Sequence, residues 1–482
     1  MNFRMMGYTI GQILRVEGVL MLLPLFVSLL YGENIWLWFL IPAASLAALG
    51  TVLTLKKPED RTILAKEGLV IVGLSWVLMS LFGCLPFWIS GEIPLFIDAL
   101  FETISGFTTT GASVLSDVES LSYGMLFWRS FTHWIGGMGV LVFVLAILPQ
   151  SDVRAMHLFR AETTGPKIGK LVSKMKSSAR ILYGIYIALT AVEMIFLLCG
   201  GMNVFDSVTH AFATAGTGGF STKNAGIAHF DSLYIEMVIA VFMFLFGINF
   251  QIFYLLLIKN FRGVWKNEEL RWYFVMVFVA VLFIALNVMS LYENSFGAAL
   301  RYSFFQVTSV VSTTGFATTD YAGWPLFSRT ILLLLMFSGA CAGSTAGGLK
   351  ISRVAIAVKS SFSELRHMLR PRSVVVPKFD GKPLEREEVA GVQHFLLVYA
   401  LLFAVSLLLV SIGIKDFDTA FSGVLTMLSN VGPGLSAAIG PVSNFGAQTV
   451  LTKLVFSFDM LAGRLELFPI IILFAPATWR RR

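Results

Sequence analysis

Residues 306–320 read QVTSVVSTTGFATTD: an apolar run, a pair of threonines, a glycine, an aromatic residue and, shortly after, an acid. A single copy says little, but the chain holds four such stretches. They are DALFETISGFTTTGAS at 98–113, DSVTHAFATAGTGGFS at 206–221, YSFFQVTSVVSTTGFA at 302–317 and TAFSGVLTMLSNVGPG at 419–434. In this register Gly111, Gly219, Gly315 and Gly432 share one column. Neighbouring copies lie roughly 100 to 120 residues apart, and self-similarity at such a period marks a repeated structural unit.

The helical parts of these stretches, near 96–108, 205–216, 300–312 and 418–429, are too short to cross a bilayer but suit re-entrant half-helices. Full spans are expected around them, near 10–31, 35–55, 67–90, 124–148, 181–200, 233–258, 271–291, 326–358, 390–413 and 447–475. Composition agrees: of 482 residues, 56% are hydrophobic and 13% charged, with a mean hydropathy of +0.78. A soluble chain of this length needs about twice that charge. The first two apolar stretches read as retained spans rather than a cleaved leader, since no small-residue cleavage site follows the first.

The fold class expected is therefore an all-α polytopic membrane protein. Four pseudo-symmetric repeats, each span–pore helix–filter loop–span, would surround one central pore, behind two extra N-terminal spans. The divisions are 1–60 for the extra spans, then 61–150, 151–265, 266–372 (with a broken second helix) and 373–482 for the repeats.

Most of the 36 Lys and Arg residues lie near the N-terminus, in 56–66, 154–180, 259–271 and 350–386, and at the C-terminal WRRR. With ten spans these segments share one side, which the positive-inside rule makes cytoplasmic, both termini included. The net charge of +7 then reports membrane orientation, and no nucleic-acid partner is expected.

Irregular backbone at membrane depth is tolerated only when buried in protein or lining a watery path. Glycine permits angles that bring successive carbonyls to one side, and four such loops suit a dehydrated cation. Asp98, Glu102 and Asp206 are expected to gather cations outside or to cap the half-helices.

In the eighth span, SGACAGSTAGGLKIS at 338–352 carries too many glycines for a straight helix and reads as a hinge or loop. There Ser344 and Thr345 would satisfy freed backbone groups or touch a passing ion, and Lys350 would snorkel to the cytoplasmic end. Arg464 is the most conspicuous intramembrane charge, either paired with Asp459 or Glu466 or exposed to a pore. Glu193 is a further intramembrane acid, and His133 and His210, near the outer ends of their elements, read as hydrogen-bonded structural groups. Cys84, Cys199 and Cys341 have no metal-like spacing and read as small buried hydrophobes. No H-E-x-x-H, Walker A or catalytic cluster is present, so an enzyme is not expected.

At SGFTTTGAS, THWIGGMGVLVF, TGGFST, STTGFAT, GACAGSTAGGLK, SNVGPGL and MLAGRLELF the chain resembles the Trk/Ktr/HKT superfamily of potassium transporters, its TrkH-type members most closely. The resemblance covers essentially the whole chain. It implies a K+ filter lined by Thr109, Thr110, Gly111 and Ala112; Thr217, Gly218, Gly219 and Phe220; Thr313, Thr314, Gly315 and Phe316; and Asn430, Val431, Gly432 and Pro433. Some plant relatives with serine in the first glycine column resemble sodium carriers, so Gly111 argues for potassium, with rubidium accepted too. The fourth loop departs from the others at Asn430, Val431 and Pro433, which argues against a strictly four-fold ring.

The resemblance also implies that the interrupted span gates conduction, through Gly339, Gly343, Ser344, Thr345, Gly347, Gly348 and Lys350, with Arg464 facing the pore as a barrier to cations. It implies a homodimer in a bacterial inner membrane, bound to a nucleotide-binding cytoplasmic ring of the TrkA or KtrA type. The basic runs 154–180 and 353–386 would offer docking surface to that partner or to membrane lipid. K+ is the transported ion and no organic cofactor is expected in this chain. A Na+- or H+-coupled potassium symporter is the alternative.

Overall fold

The computed structural model describes residues 1–60, 62–139, 175–372 and 376–480. Most of the basic run 154–180 lies outside these residues, as does the end of the span expected at 124–148.

The described chain is helical apart from the two-residue strands Lys378–Phe379 and Lys382–Pro383, which pair antiparallel across a turn. Among the described residues, six helical segments are long and apolar enough to cross a membrane: Phe3–Leu30, Trp36–Thr54, Ala65–Ser90, Ala179–Cys199, Glu268–Leu291 and Arg386–Val410. The first two are the extra pair. The other four open the four repeats, one each. Their lipid-facing sides keep large apolar residues exposed, among them Phe274, Phe278, Leu401 and Leu408, as a hydrocarbon solvent allows.

The short stretches fold as half-helices: Phe96–Phe107, Val204–Gly216, Phe296–Val311 and Phe417–Ser429. At 1.5 Å per residue each is about 18–24 Å long, shorter than the roughly 30 Å hydrocarbon core. Three of their starts are capped by side chains. Asn203 accepts from the amide of Asp206, Ser295 from that of Ala298, and Asp416 from that of Thr419. The acidic Asp98, Asp206 and Asp418 lie in first turns, where the helix dipole favours them.

The second helix of each repeat departs from the expectation of unbroken spans near 124–148, 233–258 and 447–475. Tyr123–Gly137 ends at glycine, and Leu233–Phe246 meets Phe250–Leu257 at an angle of 92°. Leu326–Ser338 gives way to an irregular loop before Ile351–Leu369, and Val450–Arg464 breaks before Phe468–Phe474. The third of these breaks is announced by a dense run of glycines, and the first falls at Gly136, Gly137 and Gly139. The second is held open from outside, because the amide of Cys341 donates to Gly247 O and that of Phe250 to Gly343 O, both at 3.1 Å. The fourth turns on Glu466 and Leu467, both at positive φ.

Candidate ion pathway

The four half-helices end alike. In the first, Thr109 N–H donates to Gly106 O and Thr110 N–H reaches back to Ser105 O. The same pair of bonds joins Thr217 to Thr214 and Gly218 to Ala213, then Thr313 to Val310 and Thr314 to Ser309. In the fourth it joins Asn430 to Met427 and Val431 to Thr426. This closure is the Schellman pattern and needs one left-handed residue. Thr109, Thr217, Thr313 and Asn430 supply it, with φ between +55° and +58°. Asparagine tolerates that region, whereas a β-branched threonine is a genuine outlier there. Three threonines so held mark a backbone imposed by its surroundings.

Two residues on, Gly111, Gly219, Gly315 and Gly432 also have positive φ, from +78° to +100°. Each presses on a carbonyl of the next loop. A Cβ on Gly111 would lie 1.9 Å from Gly218 O; one on Gly219, 2.0 Å from Thr314 O; one on Gly315, 2.1 Å from Val431 O. A Cβ on Gly432 would meet Thr110 O at 2.4 Å and so return to the first loop. The four loops therefore form a closed ring in chain order. The irregular fourth sequence does not break the four-fold pattern of the backbone; it alters what the side chains do. Asn430 Nδ2 donates to Thr110 Oγ1 at 3.0 Å and to Met460 O at 2.9 Å, a bridge the other loops lack.

On one side of the ring opens a cup of about 320 Å³, whose lining includes Ala112, Phe220, Phe316 and Pro433, the residues after the four glycines. The loops are its floor. Beneath them, Thr109 Oγ1 and Asn430 Oδ1 are buried without a hydrogen-bond partner among the described residues.

Asp98, Glu102 and Asp206, expected to gather cations or to cap the half-helices, all have partners within the protein, and Asp98 and Asp206 lie in first turns. Glu102 is 1% exposed and paired with Arg129 at 2.7 Å; it also accepts from Ser113 Oγ and Val114 N at the foot of the first loop. Arg129 in turn donates to Ser221 O and lies 3.9 Å from the centre of the Phe220 ring, so this pair joins the first two loops. Asp206 accepts from Thr222 Oγ1 at 2.6 Å, and Asp98 from Lys453 Nζ at 2.6 Å.

His133 and His210 are hydrogen-bonded groups. His210, midway along its half-helix, spans Asp206 O and Ser221 Oγ. His133 lies one turn from the end of Tyr123–Gly137 rather than at its outer end. Its Nδ1 donates to Gly106 O at 2.7 Å and its Nε2 accepts from Phe220 N at 3.3 Å, which fixes a neutral tautomer. Glu193 is fully buried, with no hydrogen-bond partner among the described residues. Neither Arg129 nor the bridging place of His133 was signalled by any local pattern.

The loop of residues 339–350 lies against the underside of the ring. Gly339, Gly343, Gly348 and Lys350 have positive φ, and a Cβ on Gly347 would meet Ser429 O at 2.4 Å. Gly347 N–H donates to Thr313 Oγ1 at 2.7 Å, tying loop to ring. Ser344 Oγ satisfies Cys341 O, and Thr345 Oγ1 satisfies Phe246 O. Lys350 does not snorkel: it is 1% exposed, and its ammonium folds back onto Ala346 O.

Arg464 is 8% exposed and donates to three carbonyls, Thr345 O at 2.6 Å, Gly136 O at 2.5 Å and Gly137 O at 2.7 Å. The last two are at the C-terminal end of Tyr123–Gly137, where a cation is favoured. The partners expected for it are taken: Glu466 pairs with Arg353 at 2.5 Å and Asp459 accepts from Ser406 Oγ at 2.6 Å. One guanidinium thus ties the fourth repeat to the first and to the loop.

Comparison with known proteins agrees with this architecture. Residues 38–481 match the TrkH family, described as cation transport protein. The chain is 36% identical over 488 residues to the Trk system potassium uptake protein TrkH of Escherichia coli K12, covering 100% of both. It is 32% identical to the Trk system potassium uptake protein TrkG of the same strain, covering 99% of both. The crystal structure of the potassium transporter TrkH from Vibrio parahaemolyticus superposes with a TM-score of 0.88 at 33% identity, covering 100% of both chains. A family of transport proteins, and not of enzymes, thus accounts for the four-loop ring and the broken helices around it: the chain belongs to the TrkH family of multi-pass membrane cation transport proteins.

Proposed function

We propose that this chain is a potassium-uptake permease that conducts K+ through the four-loop ring. The observation that carries this reading is the closed cycle from Gly111 to Gly218, Gly219 to Thr314, Gly315 to Val431 and Gly432 to Thr110, at the floor of a cup lined from all four repeats. Carbonyl oxygens of such loops replace the hydration shell of a cation that fits among them, and the rigid closures hold their spacing. The K+-binding residues are Thr109–Ala112, Thr217–Phe220, Thr313–Phe316 and Asn430–Pro433, and the half-helices add the negative ends of their dipoles.

Below the ring, the loop 339–350 acts as the gate and Arg464 as its latch and electrostatic barrier. The basic segments lie on the cytoplasmic side of a bacterial inner membrane, which sets the cup outside. The names of the relatives speak of a Trk system, which supports a complex with further components; a homodimer on a TrkA-type nucleotide-binding ring is the form proposed, with the nucleotide held by that partner.

The test is rubidium-86 uptake into proteoliposomes, with K+ and Na+ as competitors and an imposed pH or Na+ gradient in parallel. Uptake blocked by K+, little affected by Na+ and independent of both gradients supports the permease. Uptake that requires either gradient identifies a coupled carrier.

A further inference from the structure

The helix Glu268–Val288 opens with two acids whose side chains go to different places. Glu269 is 4% exposed, and a single oxygen, Oε1, accepts from Ala342 N at 2.7 Å and from Ser352 N at 3.1 Å. These amides lie at the entry and exit of the glycine-rich loop. Ser352 is also in the first turn of Ile351–Leu369, so the carboxylate meets the positive end of that helix.

Glu268 turns the other way. Its carboxylate accepts from Lys359 Nζ, on the same helix after the loop, and from Asp380 N at 3.1 Å. The amide of Glu268 returns a bond to Asp380 Oδ1 at 2.7 Å, and Lys359 Nζ also reaches Lys378 O at 2.9 Å. Asp380 is in the turn of the small hairpin Lys378–Pro383. Two successive residues therefore join a hairpin on the basic side to both ends of the loop below the filter.

We infer that Glu269 is a positioning residue that clamps the two ends of the loop in its present place, and that Glu268 couples the clamp to the hairpin. The inference rests on the reading of the loop as a gate. A carboxylate accepting two buried amides is a strong acceptor, and its loss leaves both donors unpaired. With the clamp removed, the loop keeps its backbone bonds at Cys341, Leu349 and Ile351 but loses the one group that ties Ala342 and Ser352 to Glu268–Val288, while the ring contacts remain. Ion flux then rises and ion preference stays. A displaced hairpin shifts the same equilibrium without touching the ring.

The experiment is rubidium-86 uptake by the full-length chain in proteoliposomes, with no cytoplasmic partner added, for wild type, Glu269→Ala, Glu269→Gln, Lys359→Ala and a deletion of residues 343–347. The deletion is expected to raise uptake and so uphold the gate. Glu269→Ala is expected to raise it about tenfold, with rubidium-over-sodium preference unchanged. Glu269→Gln keeps a neutral acceptor and raises it less, and Lys359→Ala raises it least. If Glu269→Ala does not fold, the rise in Glu269→Gln decides. Uptake unchanged or lowered in both Glu269 variants while the deletion raises it overturns the clamp and leaves the gate standing. No rise in the deletion overturns the gate, and the clamp with it.

Discussion

The four-loop ring and the loop beneath it are both irregular backbone deep in the protein, yet they are held in different ways. Each loop of the ring is closed by two bonds to its own half-helix and by glycine-to-carbonyl contact with the next loop. The lower loop has backbone bonds to Gly247 and Phe250 and is further tied by single side chains: Glu269 and Thr313 of its own repeat and Arg464 of the fourth. A region closed on its own half-helices keeps its distances; one tied by single side chains on separate elements is released as those ties are lost. In the function proposed above, selectivity belongs with the first and switching with the second.

The largest effect is expected where the two kinds of hold meet. Arg129→Met removes one partner of a buried ion pair and leaves Glu102 unpaired. It is expected to cost about 3–5 kcal/mol in stability, read as a lower Tm of the purified protein. A Tm within a degree or two of wild type would mean that backbone closure suffices without the pair.

Gly315→Ser tests the ring directly. Its Cβ would lie 2.1 Å from Val431 O, so one carbonyl must move. The ratio of K+ to Na+ competition is expected to fall by roughly fifty-fold, equivalent to about 2.3 kcal/mol. An unchanged ratio would show that the glycine column serves packing alone.

Arg464→Ala addresses the loop. It frees three carbonyls and removes a charge, and is expected to raise rubidium uptake about tenfold without altering ion preference. A change in preference at unchanged rate would move Arg464 from the switch to the filter.

The mildest test is Asn430→Thr, which gives the fourth loop the residue of its three neighbours. It loses the Nδ2 bonds to Thr110 Oγ1 and Met460 O, and roughly threefold weaker selectivity is expected from a lost bond of about 0.5–1 kcal/mol. An improved ratio would show that the asymmetry lowers selectivity.

The same division explains what could be read from the chain. The half-helices and the glycine column were legible because their causes are local: an apolar dozen, a left-handed turn, a residue type that the turn requires. The interrupted span at 338–352 was legible for the same reason. The acids were visible but their roles were not. Glu102 meets Arg129 and Asp98 meets Lys453, and no periodicity links residues so far apart. The breaks at Gly247 and Glu466 were not legible because an isolated glycine or a proline is tolerated in a spanning helix: the second is held open by the bonds to Cys341 and Gly343, and the fourth turns on two non-glycine residues at positive φ.

The contact between the fourth loop and the first has a consequence for biosynthesis. Asn430 and Thr110 are 320 residues apart, and the cycle of glycines closes only across that interval. A ribosome-bound chain that has inserted three repeats has built three-quarters of a ring and no conduit. The ring is complete only once the fourth repeat has been made and has packed against the first.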